Sequence, residues 1–142
     1  MPLNTSQKRS LTAVLMELEE DLLQLEQWLK MDKINMVFRQ ISNPFSPKQR
    51  TQLLELITTV KEQLQTMRDT FGLPIETVDL RWLFSVNLLH FETTLEESSP
   101  RRLKSFGKMD DETAETLTHQ LNKLIQYLTA IRRIAQLAES KK

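Results

Sequence analysis

The chain has 142 residues, 19 basic and 19 acidic side chains, a formal net charge of zero, two glycines and no cysteine. The charge balance excludes a strong overall attraction to nucleic acid or to an anionic membrane. The absence of cysteine excludes disulfides, thiolate metal sites and cysteine nucleophiles. No stretch has the apolar length of a signal peptide or a membrane span, so we expect a cytoplasmic protein. The chain length suits a fold of one domain over residues 1–142.

The first predicted helix covers residues 6–31. From Leu11 to Leu29, leucines recur at alternating spacings of four and three residues, which keeps one seam of the helix against a neighbouring helix. The other side carries five acidic residues, namely Glu17, Glu19, Glu20, Asp21 and Glu26. We interpret them as a solvated face rather than as a metal-binding or catalytic cluster.

The next segment predicts a short additional helix and then the second long helix. The short helix is predicted over residues 33–41, where apolar residues have helical spacing at Ile34, Val37, Phe38 and Ile41. The second long helix is predicted over residues 47–71. Ser46 can cap its start, Pro47 suits its first position, and Gly72 can adopt the left-handed conformation that ends it.

The third helix is predicted over residues 75–97, after a very short connection. On a helical wheel its apolar residues form two stripes on roughly opposite sides. The first stripe contains Ile75, Val78, Trp82, Val86 and Leu89. The second stripe contains Leu80, Phe84, Leu88, Phe91 and Leu95. A helix that is apolar on two sides must be covered on two sides, either by its own chain or by a partner, and the sequence leaves both arrangements open.

A short turn is predicted over residues 100–105, and the fourth helix over residues 111–139 with Asp110 as its cap. The segment before this helix holds four bases and no acid, namely Arg101, Arg102, Lys104 and Lys108. We expect this basic patch to meet the acidic face of the first helix, in the same chain or in a second one, rather than nucleic acid. The apolar seam of the fourth helix is Ala114, Leu117, Leu121, Leu124, Leu128, Ile131, Ala135 and Ala138.

His90, which flanks the first stripe, is the candidate for a phosphoacceptor or for a ligand of a bound small molecule. A phosphotransfer histidine is usually followed by a lysine and a glycine, which residues 91–94 lack, so a structural histidine is the plainer interpretation. The spaced carboxylates Glu92 and Glu96 are expected to project away from the apolar seams. No cofactor, metal site or catalytic constellation is therefore predicted.

Together these patterns predict an all-α protein, an up-down-up-down antiparallel four-helix bundle with one short additional helix. The expected function is that of a non-enzymatic protein–protein interaction or regulatory module. We expect a homodimer in which the second stripe of the third helix meets itself or another helical partner, with no membrane partner. The alternative is a small-ligand-binding or phosphotransfer signalling bundle that uses His90.

Overall fold

A computed structural model describes residues 2–137 of the chain. Helix accounts for 74% of these residues and strand for 4%, which confirms the all-α class. The contacts divide the chain into two compact units, Met1–Ile75 and Glu76–Lys142. The expectation of a single domain stays a prediction.

The first unit contains two long helices. Helix α1 covers Thr5–Leu29 and ends two residues before the predicted boundary. Asn4 caps it, because its side chain accepts a hydrogen bond from the backbone N–H of Gln7 while the Gln7 side chain accepts one from the N–H of Asn4. Helix α2 covers Pro47–Phe71, as predicted, and Gly72 ends it with a left-handed φ of 61°.

Helices α1 and α2 pack against each other as an antiparallel pair. Lys61 Nζ of α2 lies 2.8 Å from Glu26 Oε2 of α1. At the other end of the pair, Gly72 lies beside the Lys8 side chain of α1, since a Cβ built on Gly72 would be 3.6 Å from Lys8 Nζ. The prediction that Glu26 belongs to a solvated acidic face is therefore wrong, because its carboxylate is turned toward α2. The hydrogen bond from Lys61 lowers the pKa of Glu26.

The short helix predicted over residues 33–41 is wrong, because this segment is an antiparallel β-hairpin. Strand β1 is Lys33–Asn35 and strand β2 is Gln40–Ser42, and Ile34 pairs with Ile41 across them. A spacing of seven residues puts two side chains on one face of a helix. The same spacing puts them opposite each other in a hairpin whose tip is two residues long. The apolar pattern therefore fitted both structures.

The second unit begins with helix α3, which covers Leu80–Glu97 rather than residues 75–97. Asp79 caps this helix, since its Oδ1 accepts a hydrogen bond of 2.8 Å from the N–H of Arg81. The Arg81 guanidinium also pairs with the Asp79 carboxylate and lowers the pKa of Asp79 to about 2. Ile75 and Val78 therefore lie in the connection before α3, so the first predicted stripe is shorter than expected.

The rest of the second unit follows the predicted order. Helix α4 is Pro100–Leu103, a 3₁₀ turn covers Lys104–Phe106, and helix α5 is Asp111–Gln136 with Asp110 as its cap. Ala138 and the predicted end of the fourth helix lie outside the described residues. Helices α3 and α5 pack as an antiparallel pair.

Few apolar side chains are fully covered. Among residues 2–137, the buried apolar side chains are those of Leu29, Ile34 and Leu73. Several seam leucines and isoleucines that were predicted to face a neighbouring helix are instead exposed, namely Leu18, Leu25, Leu124 and Ile131. Each helix pair therefore covers only part of its own apolar seams.

Candidate interaction surface

The face of α3 that packs against α5 is defined by Leu88, Glu92 and Leu95. Glu92 is hydrogen-bonded to α5, and the two leucines, four residues before it and three residues after it, lie on the same face. Both leucines are half-buried. The second predicted stripe is therefore divided, because part of it packs inside the α3–α5 pair while the rest lies beside that contact.

The remaining apolar residues of α3 are exposed, and all of them except Leu83, on the side opposite this contact, lie on its two flanks. Phe84 is 38% exposed and Phe91 is 54% exposed, on the same flank as Leu80. The other flank of α3 carries exposed Trp82, Val86 and Leu89. We call these six residues the α3 flanks. Aromatic side chains grouped in this way on one helix are the kind of apolar surface that marks interaction sites.

Glu92 lies at the centre of the α3–α5 contact and is only 6% exposed. Arg132 Nε donates to Glu92 Oε2 at 2.8 Å, and a second guanidinium nitrogen donates to Oε1 at 3.3 Å. The Thr129 hydroxyl also donates to Oε1. These hydrogen bonds, that from Arg132 first, lower the pKa of Glu92, so the carboxylate is held charged inside the contact.

The sequence prediction placed Glu92 away from the seams, and this is wrong. The signal that would have found it is its spacing, since Leu88, Glu92 and Leu95 follow one another at the four-three interval of a packed seam. A second polar contact lies two turns further along, where Gln136 Nε2 donates to Ser85 Oγ at 3.3 Å. The α3–α5 pair is thus joined by polar contacts that require one register of the two helices.

His90 lies on the side of α3 opposite Glu92 and is exposed. Its ring meets that of Phe91 edge to face at a centroid distance of 5.4 Å. No observation on the described residues favours its predicted role as a phosphoacceptor or as a ligand of a small molecule. That role stays a prediction.

The basic patch of Arg101, Arg102, Lys104 and Lys108 lies on α4, the 3₁₀ turn and the loop that follows, with all four side chains exposed. Arg101 and His119 line a shallow hollow of about 610 Å³ between α4 and α5, together with Glu115. The patch is therefore accessible to a partner, but the carboxylate in the hollow offsets part of its charge.

Within residues 2–137, no group of three or more histidine, aspartate and glutamate side chains is arranged to hold a metal ion. None of the helices in that range combines the length and apolar character needed to cross a bilayer. Comparison of the chain with protein-family models, curated proteins and solved structures gives no match.

Proposed function

We propose that the protein is a non-enzymatic interaction or regulatory module of the cytoplasm that forms a homodimer through α3. The observation that carries this proposal is the exposure of Phe84 and Phe91 beside the α3–α5 contact. Leu80 lies on the same flank, and Leu88 and Leu95 continue it into the packed face. The proposed dimer contact is formed mainly by the exposed Leu80, Phe84 and Phe91, and the half-buried Leu88 and Leu95, which also pack against α5, lie at its border.

The chemistry of the α3 flanks supports a protein partner. Phenylalanine and tryptophan bury large apolar areas at low conformational cost and dominate the binding energy of many interfaces. A second copy of α3 presents the same apolar surface, so a two-fold axis can bring each flank against its own equivalent. A polar small molecule or an ionic substrate would gain little binding energy from such a surface.

The proposal includes the up-down-up-down four-helix arrangement. Its support is that α1 with α2, and α3 with α5, each form an antiparallel pair whose seams stay partly exposed, as at Leu25 and Ile131. Seams of this kind are typical of helices that pack in bundles of four.

The test is light scattering coupled to size exclusion on the full chain, with the variants Phe84→Glu and Phe91→Glu. The parent is expected to have the mass of two copies and each variant the 16.7 kDa of one, because a carboxylate at the centre of an apolar contact must be desolvated. Far-UV circular dichroism should show that both variants stay helical.

The matched control is Phe106→Glu, which replaces a phenylalanine that is 84% exposed and lies outside α3. This variant should keep the mass of the parent. A monomeric parent whose Phe84→Glu variant loses its helical signal would mean that the chain covers this surface itself, and it would refute the dimer.

A further inference from the structure

The tip of the β-hairpin exposes three consecutive apolar residues, Met36, Val37 and Phe38. Met36 is 54% exposed, Val37 is 91% exposed and Phe38 is 99% exposed. Single exposed apolar side chains are common on protein surfaces. A run of three at one turn is a contiguous apolar surface, which we call the hairpin tip, and a surface of this kind points to a binding partner.

The backbone of the turn does not require these residues. The N–H of Met36 donates to the carbonyl oxygen of Arg39 at 2.8 Å and leaves Val37 and Phe38 as the two central residues. Two-residue hairpin turns favour Asn, Asp and Gly, which tolerate positive φ. No residue other than glycine has positive φ within residues 2–137. Turn geometry therefore gives no reason for valine and phenylalanine at these positions.

The base of the hairpin is anchored to both helices of its unit. Arg50 of α2 pairs with Asp32 at 2.8 Å. The side-chain amide of Asn43 donates to the carbonyl oxygen of Leu29, at the end of α1, at 3.3 Å. Ile34 of strand β1 is buried. The hairpin tip is thus held in place before it binds, which reduces the entropy lost on binding.

The hairpin lies in a basic segment of a chain that has no net charge. Residues 27–54 contain one acid and five bases, namely Asp32 and Lys30, Lys33, Arg39, Lys48 and Arg50. The acid is paired with Arg50, and none of the other four bases forms an ion pair within residues 2–137. Arg39 directly follows the tip, Lys33 lies three residues before it, and both are exposed. The tip is thus flanked by positive charge that no nearby acid neutralises.

We propose that the hairpin tip binds the surface of an anionic lipid bilayer. Phe38 and its two apolar neighbours enter the boundary between headgroups and acyl chains, while Arg39 and Lys33 meet the anionic headgroups. One short apolar anchor binds a bilayer only weakly, and stable binding needs a second signal, such as a group of basic residues. Both signals occur together here, at a turn whose base is fixed.

A lipid surface fits these observations better than a pocket in a protein does. A protein that covered three side chains of one turn would need a cavity matched to their shape, whereas fluid lipid rearranges around an apolar turn of any shape. Surface binding requires neither a membrane-spanning helix nor a basic chain. Salt screens charges that lie more than about 10 Å apart, so the bilayer meets the bases of the hairpin rather than the acids of distant helices. The expectation of no membrane partner rests on properties of the whole chain, and these do not describe the surface of one turn.

The test is co-sedimentation of the full-length chain with vesicles of phosphatidylcholine, prepared with and without phosphatidylserine. The parent is expected to bind the anionic vesicles at least about tenfold more tightly than the neutral ones, since each base near an anionic surface strengthens binding. Val37→Asp and Phe38→Asp should each weaken binding to the anionic vesicles at least about tenfold, because each removes apolar area and adds a negative charge. The double variant Lys33→Gln, Arg39→Gln should lose most of the preference for anionic lipid.

The matched control is Val14→Asp, which makes the same change at a valine of α1 that is 62% exposed. This variant should bind the anionic vesicles as tightly as the parent does. Because the chain has no cysteine, F38C also gives a single site for an environment-sensitive dye. Its fluorescence should shift to the blue on anionic vesicles, whereas the same dye at F106C, another exposed phenylalanine beside bases, should keep its aqueous spectrum.

The proposal is overturned if the parent does not bind the anionic vesicles, if Phe38→Asp binds them as tightly as the parent, or if Val14→Asp weakens binding as much as Val37→Asp does. It is also overturned if the parent fails to bind vesicles while Phe38→Asp has a lower mass in light scattering, because the tip would then contact another protein chain. The inference does not rest on the proposed dimer. Vesicle binding by Phe38→Asp reports on the hairpin tip, whereas the mass of Phe84→Glu reports on α3, so the two proposals can fail separately.

Discussion

Replacement of Glu92 by leucine should destabilise the α3–α5 pair, and replacement of Arg132 by leucine in the same chain should restore most of the loss. The Glu92 carboxylate accepts two hydrogen bonds from Arg132 and one from Thr129. Breaking a buried pair costs about 3–5 kcal/mol. The side chain of Arg132 keeps 22% of its surface in contact with water, so the remaining charge is partly hydrated. We therefore expect Glu92→Leu to lower the free energy of unfolding by about 2–3 kcal/mol.

The double variant removes both charges and leaves two apolar side chains in the contact. Such a replacement often changes the free energy of unfolding very little. Urea unfolding followed by circular dichroism at 222 nm measures all four chains: the parent, the two single variants and the double variant. Glu96→Leu, on the exposed side of the same helix, is the control and should stay within about 0.5 kcal/mol of the parent. Strictly additive losses in the double variant would refute the conclusion that the two residues act as a pair.

Four further predictions follow from individual contacts. The pKa of Glu92 is lowered from its usual 4.5, so its contribution to stability is complete above pH 4.5 and is lost as the pH falls through the lower folded-state pKa. The thermal midpoint measured between pH 7 and 3 should therefore depend less on pH in Glu92→Gln than in the parent. Asn43→Ala removes the hydrogen bonds to the carbonyl oxygens of Leu29, at the end of α1, and of Met31, in the connection after it, and should cost about 1–2 kcal/mol, with faster amide exchange in the hairpin. Gly72→Ala should cost about 1 kcal/mol in urea unfolding because φ is 61°, whereas Gly107→Ala, where a Cβ meets no atom within 4 Å, should be neutral. Thr12→Val should raise the thermal midpoint, since it removes a buried hydroxyl that has no hydrogen-bond partner in the described residues, worth about 0.5–1 kcal/mol.

The helix boundaries that were predictable are those set by local side-chain chemistry. Ser46 and Pro47 specify the start of α2 and Gly72 specifies its end, because caps and left-handed residues act within a few positions of the chain. The start of α3 was mispredicted for the same kind of reason. Asp79 caps the helix, and the β-branched residues before it disfavour helix. The prediction began the helix too early because Ile75 and Val78 continue its apolar spacing.

The contacts that were not predictable depend on which helix is the partner. The hairpin around Ile34 and Ile41 has an apolar spacing that fits a helix equally well, and only the tertiary contacts at Asp32 and Asn43 distinguish the two structures. Glu92 was expected to project away from the apolar seams of its helix. Its position inside the contact requires Arg132, which lies 40 residues away in the sequence. The apolar periodicity of a single helix does not reveal a charge pair between residues so far apart in the sequence.

The antiparallel pairing of α3 with α5 also bears on how the chain folds. The stretch between them, residues 98–110, is short and includes the α4 helix and a 3₁₀ turn, so closing it costs little chain entropy. Structures dominated by contacts between sequence neighbours fold quickly, in microseconds to milliseconds. The α3–α5 pair can therefore form quickly, without waiting for contacts with distant parts of the chain.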